Sequence, residues 1–246
     1  MKKTVLITGA AGGIGVAISK HLAATNWRVG MVDINPELPA IAATIEGEIA
    51  TAICDVRESE QVEAAIAKIE SELGPIDALV NNAALVANIK SIGKMSDYRW
   101  NNELAVNLSS AFYFIRRIAP KMAERGWGRI INISSGAARS GLPAQIGYAA
   151  TKSALWGITS TTAAEFGAKG VTCNSILPGV IGTPKALAMP KHILEVVEQG
   201  NSVKRIGTVE EIAYLVAFLC SELTGYITGA EIDIDGGLRL SNNSLT

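Results

Sequence analysis

The sequence predicts an α/β protein: one mostly parallel, doubly wound sheet with helices on both faces. Three observations point there. Strand-like and helix-like segments alternate from one end of the chain to the other. Several strand segments are apolar throughout rather than alternating, as expected where both faces of a sheet are covered. The first strand runs straight into a glycine-rich turn.

Seven short strands are expected, at Thr4–Thr8, Arg28–Asp33, Ile49–Cys54, Ile76–Val80, Arg129–Ile133, Val171–Leu177 and Ile232–Ile234. Ile14 to Ala24 reads as the first helix. Glu58 to Leu73 has helical spacing, with Val62, Ile66 and Ile69 on one face, and Gly74-Pro75 stops it. Asp97 to Ala123 reads as one long helix, followed by Tyr148 to Phe166 and Thr208 to Leu219. No internal repeat or Pro/Ser-rich linker breaks the pattern, so residues 1–246 are expected to form a single domain. The segment from Lys185 to Arg205 holds Pro190 and mixes apolar with polar residues. A long insert at the sheet's carboxyl edge suits a substrate lid.

Composition narrows the function. The 246 residues are 48% hydrophobic and 18% charged, against about 25% charged in ordinary soluble domains. Such a chain buries a large core and is expected to bury surface against copies of itself. Net charge is -1, from 22 basic and 23 acidic residues. No bulk field favours nucleic acid or an anionic membrane. Mean hydropathy is +0.27, yet the uncharged stretch from Thr4 to Ser19 falls short of the roughly 20 apolar residues that cross a bilayer. The opening Met1 to Ile7 imitates a secretory signal, but the apolar run stops at Thr8-Gly9. A buried first strand and a cytoplasmic protein follow. Cys54, Cys173 and Cys220 are scattered, and His21 and His192 are isolated. That pattern gives reduced core thiols and no metal site.

The turn Thr8-Gly9-Ala10-Ala11-Gly12-Gly13-Ile14-Gly15 joins a strand to a helix. Glycines there let the backbone approach a pyrophosphate, and the helix N-terminus offers free N–H groups and a positive dipole end. A glycine turn with no ligand has the same composition, but this position favours dinucleotide binding. Asp33 ends the second strand, 18 residues after Gly15, where a carboxylate accepts from the adenosine ribose hydroxyls. Asn81-Asn82-Ala83-Ala84 follows the fourth strand; alone it reads as a polar turn. Tyr148 and Lys152 stand four apart on one helical face, and Ser135 follows the fifth strand. An ammonium beside a phenol favours the phenolate. Bringing a Tyr from its usual value near 10 into the physiological range takes roughly 3 to 4 kcal/mol. A lysine together with an oxidised nicotinamide supplies charge of that order.

These motifs together resemble the short-chain dehydrogenase/reductase family in its single-domain branch, with a Rossmann-type sheet. Gly9, Gly13 and Gly15 match the family's TGxxxGxG turn. Asn81 to Ala83 match NNAG, with Ala84 in place of the final glycine. Asn107, Ser135, Tyr148 and Lys152 match the catalytic tetrad, with 13 residues from Ser135 to Tyr148. Pro178-Gly179 followed by Thr183 matches the segment that holds the nicotinamide carboxamide. Tyr226 to Gly229 and Asp235 to Gly237 match the C-terminal signature. The resemblance also implies cofactor contacts at Gly12, Ile14, Asp55, Val56, Asn82, Ala83 and Ile181. Without it, Asn107 reads as a tolerated exposed Asn; with it, Asn107 marks a kink whose backbone holds a water beside Lys152.

The activity implied is NAD-dependent interconversion of a secondary alcohol and a ketone. Tyr148 would be the general acid/base, Lys152 would lower its pKa and hold the ribose, and Ser135 would polarise the carbonyl. NAD is expected over NADP because Asp33 faces the 2′-phosphate. Two unit charges about 4 Å apart repel by roughly 4 kcal/mol at an effective dielectric near 20. The nearest cation in sequence, Arg28, lies at the strand's other end. A 3-oxoacyl-carrier-protein reductase using NADPH is a second reading, with Arg129 and Lys169 touching an acidic carrier. A catalytically silent NAD-binding protein is a third. Val86 to Ile92, Ala137 to Gln145 and the lid should line the substrate pocket, with Leu142, Leu187, Met189 and Ile193 apolar. Lys185 or Lys191 offers a partner to a carboxylate or sulfonate, although exposed lysines on such segments are ordinarily just solvated. The resemblance implies a homotetramer built on the helices around Asn101–Ala123 and Ala149–Phe166 and on the C-terminal edge.

Overall fold

Apolar runs flanked by turn residues form seven parallel strands in the computed structural model, which describes residues 2–86 and 89–243. The strands are β1 (Thr4–Thr8), β2 (Arg28–Asp33), β3 (Ile49–Ile53), β4 (Ile76–Asn81), β5 (Gly128–Ile133), β6 (Val171–Pro178) and β7 (Glu231–Ile234). Their order in the sheet is β3-β2-β1-β4-β5-β6-β7, and every neighbouring pair is parallel. β1, β5 and β6 are buried along their whole length. Burial on both faces is why Val5-Leu6-Ile7 in β1 shows no polar alternation.

The α-helices, in chain order, are α1 (Gly13–Ala24), α2 (Leu38–Ala42), α3 (Ser59–Leu73), α4 (Asp97–Leu104), α5 (Ser110–Glu124), α6 (Ala137–Ser140), α7 (Ile146–Phe166), α8 (Pro184–Leu187), α9 (Lys191–Gly200) and α10 (Val209–Leu219). They cover both faces over two buried clusters. One lies under α3, α5 and α7, around Phe114, Ile118 and Ile69. The other lies under α1 and α10, around Ile18, Leu22 and Val216. Local sequence sets the helix ends. Gly74, at φ +82°, closes α3, and Thr208 with Glu211 forms a capping box at the start of α10.

One expectation changes. The helix read as continuous over Asp97–Ala123 is two helices joined by a π-turn at Ala105–Ser109. The segment at 185–205, read as an insert suited to a lid, is built from α8 and α9.

Chain order reverses between β1 and β4, where the first half of the sheet grows one way and the second half the other. The connections leaving those strands diverge, which opens a crevice at their carboxyl ends. Thr8 pins both sides of it: its hydroxyl accepts from the backbone N–H groups of Asn82 and Ala83, both at 3.0 Å.

Candidate active site

The crevice is a cavity of about 760 Å³. Of the residues read as cofactor contacts, Gly9, Gly12, Gly13, Ile14, Gly15, Asp33, Asp55, Val56, Asn82, Ala83 and Thr183 line it. Two glycines of its turn leave no room for a side chain. Gly9 has φ +63°, and a Cβ there would stand 2.8 Å from Ala83 Cα; a Cβ on Gly15 would stand 2.3 Å from Gly9 O. Asn82 holds the turn from the other side, donating from Nδ2 to the carbonyls of Thr8 and Gly9 at 2.9 and 3.0 Å. The first turn of α1 has no side-chain cap and no acidic residue, so its N–H groups and dipole face the cavity. A closely held, uncapped helix start fits a diphosphate, and the residues present fit a dinucleotide.

At one end of the cavity Asp33 is fixed by its own backbone surroundings. Its Oδ2 accepts from Ala11 N at 2.9 Å and its Oδ1 from Asn35 N at 3.0 Å. Each oxygen keeps a lone pair for a further donor. Asp55 is gripped by Arg57, whose Nε donates to both carboxylate oxygens at 2.9 and 3.0 Å. That grip holds the Asp55 carboxyl below its ordinary range. Arg57 Nη1 also reaches Asn102 Oδ1 on α4 at 2.8 Å. Arg57, Asn102 and Cys54 line the cavity too, and the sequence reading missed all three. Arg57 stands two residues from Asp55, but its tie to Asn102 spans 45 positions.

Ser135, Tyr148, Lys152 and Asn107 gather beside this cavity, at the carboxyl end of β5. Ser135 lies two residues beyond the end of β5, and its hydroxyl is close enough to the Tyr148 phenol to act against the effect of burial on its pKa. Lys152 is enclosed by protein and donates from Nζ to Ile133 O at 2.7 Å. Its Nζ stands 5.8 Å from the centre of the Tyr148 ring. Ala144, at φ +63°, lies in the left-handed region just before α7; its carbonyl accepts from Lys90 N at 2.7 Å, which holds that strained turn in place.

Asn107 is buried, not exposed, and sits in the π-turn, whose wider ring breaks the regular hydrogen-bond ladder. Its Oδ1 accepts from Leu85 N at 2.6 Å, and its Nδ2 donates to Leu85 O at 3.1 Å and Thr151 Oγ1 at 3.3 Å. The Thr151 hydroxyl in turn donates to Tyr148 O at 2.8 Å. The Asn107 side chain therefore couples the cavity wall at Leu85 to the helix that carries Tyr148. The kink was implied by the resemblance; this side-chain link was not.

Pro178, Gly179 and Ile181 do not line the cavity. Pro178 accepts from Gly136 N at 2.9 Å, Gly179 N donates to Ile234 O at 3.0 Å, and the Ile181 side chain belongs to the core. The pocket residues expected over Val86–Ile92 include Ala87 and Asn88, which lie outside the described residues.

Without cofactor, the Tyr148 phenol is raised above its ordinary value, because burial outweighs the nearby Ser135 hydroxyl; the lowering expected from the sequence belongs to the state with an oxidised nicotinamide beside it. Lys152 is itself lowered to about 8 by burial. Arg129 is no carrier contact in this chain: it is 3% exposed at the amino end of β5 and donates to the carbonyls of Ser221, Gly128 and Gly170.

A family model described as Enoyl-(Acyl carrier protein) reductase matches residues 9–239. The chain belongs to the short-chain dehydrogenase/reductase family. It is 42% identical over 244 residues to Nodulation protein G of Azospirillum brasilense, covering 97% of this chain and 98% of that one. It is 35% identical over 245 residues to an acetoacetyl-CoA reductase of Cupriavidus necator, covering 97% and 99%. The solved structure of ElxO with NADP bound superposes with a TM-score of 0.91 at 29% identity, covering 98% of this chain and all of that one. The protein is an oxidoreductase of this family, interconverting alcohol and ketone with a nicotinamide cofactor. Among the described residues no cluster of His, Cys, Asp or Glu could hold a metal.

Burial of Lys152 gives a pH signature. Its ordinary value is 10.5 and its folded value about 8. Below about 8 the folded state bears the full cost of an enclosed charge. Between these values the unfolded chain binds more protons, so stability rises with pH. Lys152→Met should unfold at a higher temperature than wild type at pH 7, and the gap should close as pH approaches 10. A gap that stays constant across that window would contradict the burial assignment.

Proposed function

We propose that the protein is an NAD-dependent dehydrogenase/reductase of a secondary alcohol and its ketone, with Tyr148 as general acid/base. The observation that carries this reading is the enclosed Lys152 ammonium, 5.8 Å from the centre of the Tyr148 ring, next to a dinucleotide-shaped cleft. When bound, the nicotinamide supplies the hydride acceptor or donor. The residues do the rest. Ser135 donates to the substrate oxygen and polarises it. Tyr148 Oη takes the hydroxyl proton in oxidation and returns it in reduction. Lys152 supplies the positive charge that favours the phenolate and donates to the ribose hydroxyls. Asn107 keeps α7 in register with the cleft wall. Of the Pro178–Thr183 segment, Thr183 lines the cleft and would meet the nicotinamide end.

The NAD preference rests on Asp33. The one other cation at that end, among the described residues lining the cavity, is Arg57, and it is committed to Asp55 and Asn102. The repulsion of a 2′-phosphate therefore stands without an offset. A 3-oxoacyl thioester is the second substrate reading, favoured by the acetoacetyl-CoA reductase likeness. An apolar substrate body is supported by the exposed Leu187 and Ile193 of the α8–α9 segment, which we assign as the lid. No helix among the described residues is long and apolar enough to cross a membrane. Cys54, Cys173 and Cys220 are free and buried; reduced thiols suit a cytoplasmic location.

Tyr148→Phe should keep cofactor binding within a few-fold, by fluorescence titration, and lose nearly all turnover; a tenth of wild-type kcat or more would refute the assignment. Wild type should prefer NAD(H) by roughly tenfold to a hundredfold in kcat/KM, equivalent to about 1 to 3 kcal/mol. Asp33→Ala should narrow that ratio mainly by losing NAD affinity, and equal efficiency with both cofactors in wild type would remove Asp33 from the ribose site. Large exposed side chains, Phe112 and Trp156 on α5 and α7 and Tyr214 and Phe218 on α10, support a homotetramer. Light scattering should give four times the chain mass at micromolar concentration, and a monomer would contradict it.

A further inference from the structure

The cavity has four charged side chains among its described residues: Asp33, Asp55, Arg57 and Lys185. The first three stand at the carboxyl ends of β2 and β3, where Arg57 and Asp55 neutralise each other. Lys185 is the exception. It lies in α8, directly after Pro184, whose Cδ is 3.1 Å from the position a Gly13 Cβ would take. This wall of the cavity therefore closes onto the glycine turn.

Lys185 Nζ crosses the cleft to the opposite wall and donates to Val86 O at 3.0 Å. That acceptor is neutral. No described carboxylate pairs with Lys185, whereas Lys191, on the neighbouring helix, faces Glu195 at 4.0 Å. A carbonyl satisfies one N–H of an ammonium and leaves its charge and two donors unspent. Lys185 is exposed at the mouth of the cleft, so its unspent charge is in reach of an anion entering the cleft from solvent.

We propose that Lys185 is an anion clamp, binding a negatively charged group that enters the cleft beside the glycine turn. The chemistry is shared by two sources: the diphosphate of the cofactor, and the carboxylate of a hydroxy-acid or keto-acid substrate. The Val86 carbonyl parks the ammonium in the meantime and holds it at the right side of the cleft. The assignment rests on the cleft being the cofactor site. It goes further in giving the lid a charge-selective role and in separating Lys185 from the solvated lysines around it.

The test is calorimetric, on Lys185→Met and Lys185→Arg. ADP-ribose is titrated onto each protein, and 3-hydroxybutanoate and its methyl ester onto each protein saturated with NAD. If the diphosphate is the anion, ADP-ribose binds fivefold or more weakly to the Met variant. If it is a carboxylate, 3-hydroxybutanoate weakens fivefold or more while the ester and ADP-ribose are unchanged. In either case the Arg variant stays within twofold of wild type. A Met variant that binds both anions within twofold of wild type overturns the clamp. A wild type that binds no ADP-ribose contradicts the cofactor reading itself, and so separates the two failures.

Discussion

An enclosed lysine ammonium sets terms for everything around it. Among the described residues Lys152 has no carboxylate at its side; it has a backbone carbonyl, Ile133 O, and a phenol ring nearby. Taking such a charge out of water is expensive, and the depression of its pKa to about 8 expresses that cost. The position is useful only if the helix that holds it cannot shift. Consecutive residues of the β5 edge secure it. Asn132 donates to Thr159 Oγ1 on α7 at 2.9 Å, Ile133 accepts from Lys152, and Ser134 Oγ donates to Lys152 O at 2.9 Å. The chain extends sideways, since Asn81 donates to Asn132 at 2.8 Å and Thr159 shares a hydrogen with Ser175 at 2.7 Å. Strands β4, β5 and β6 and helix α7 are thus joined by one buried polar row, in which Asn81 Oδ1 is left without a partner among the described residues.

That row meets the cleft at the point where the sheet's order reverses. Asn81 belongs to it; its neighbour Asn82 belongs to the glycine turn. The same two residues therefore link the diphosphate cradle to the platform of the catalytic helix. Asn107 makes a second link, from the opposite wall, through the π-turn. Under the proposed mechanism, negative charge on the Tyr148 oxygen would offset part of the cost of the buried ammonium, and so couple substrate chemistry to the fold.

Most of this architecture is legible in the sequence because burial on both faces leaves a plain mark. Val5-Leu6-Ile7, Ile130-Ile131 and Ile176-Leu177 are apolar runs too short for helices, and each ends at turn residues. The glycine turn and the Tyr148/Lys152 spacing are local, so they too can be read. What escaped depends on contacts distant in sequence or on small changes of pitch. The π-turn at Ala105–Ser109 widens one turn without altering the apolar face that Phe114, Ile118 and Met122 present. Helix α2 is five residues with a proline in its first turn, below the length at which periodicity speaks. Arg57 is one charged residue in a loop until β3 and α4 come together. Arg129 looked available because arginine usually is; its place at the amino end of a fully buried strand decided otherwise. The rise of the Tyr148 phenol in the free protein escaped because sequence shows which charge is near and not how much water is gone.

Central to this account is that cofactor binding converts a phenol made reluctant by burial into a working base. The direct measurement is the ultraviolet difference titration of Tyr148, taken as wild type minus Tyr148→Phe, with and without NAD. In the free enzyme the phenol should ionise above its ordinary value of 10.0. With NAD bound, the added positive charge should bring the midpoint down by about 2 or more. An NAD-bound midpoint equal to that of the free enzyme would contradict the account.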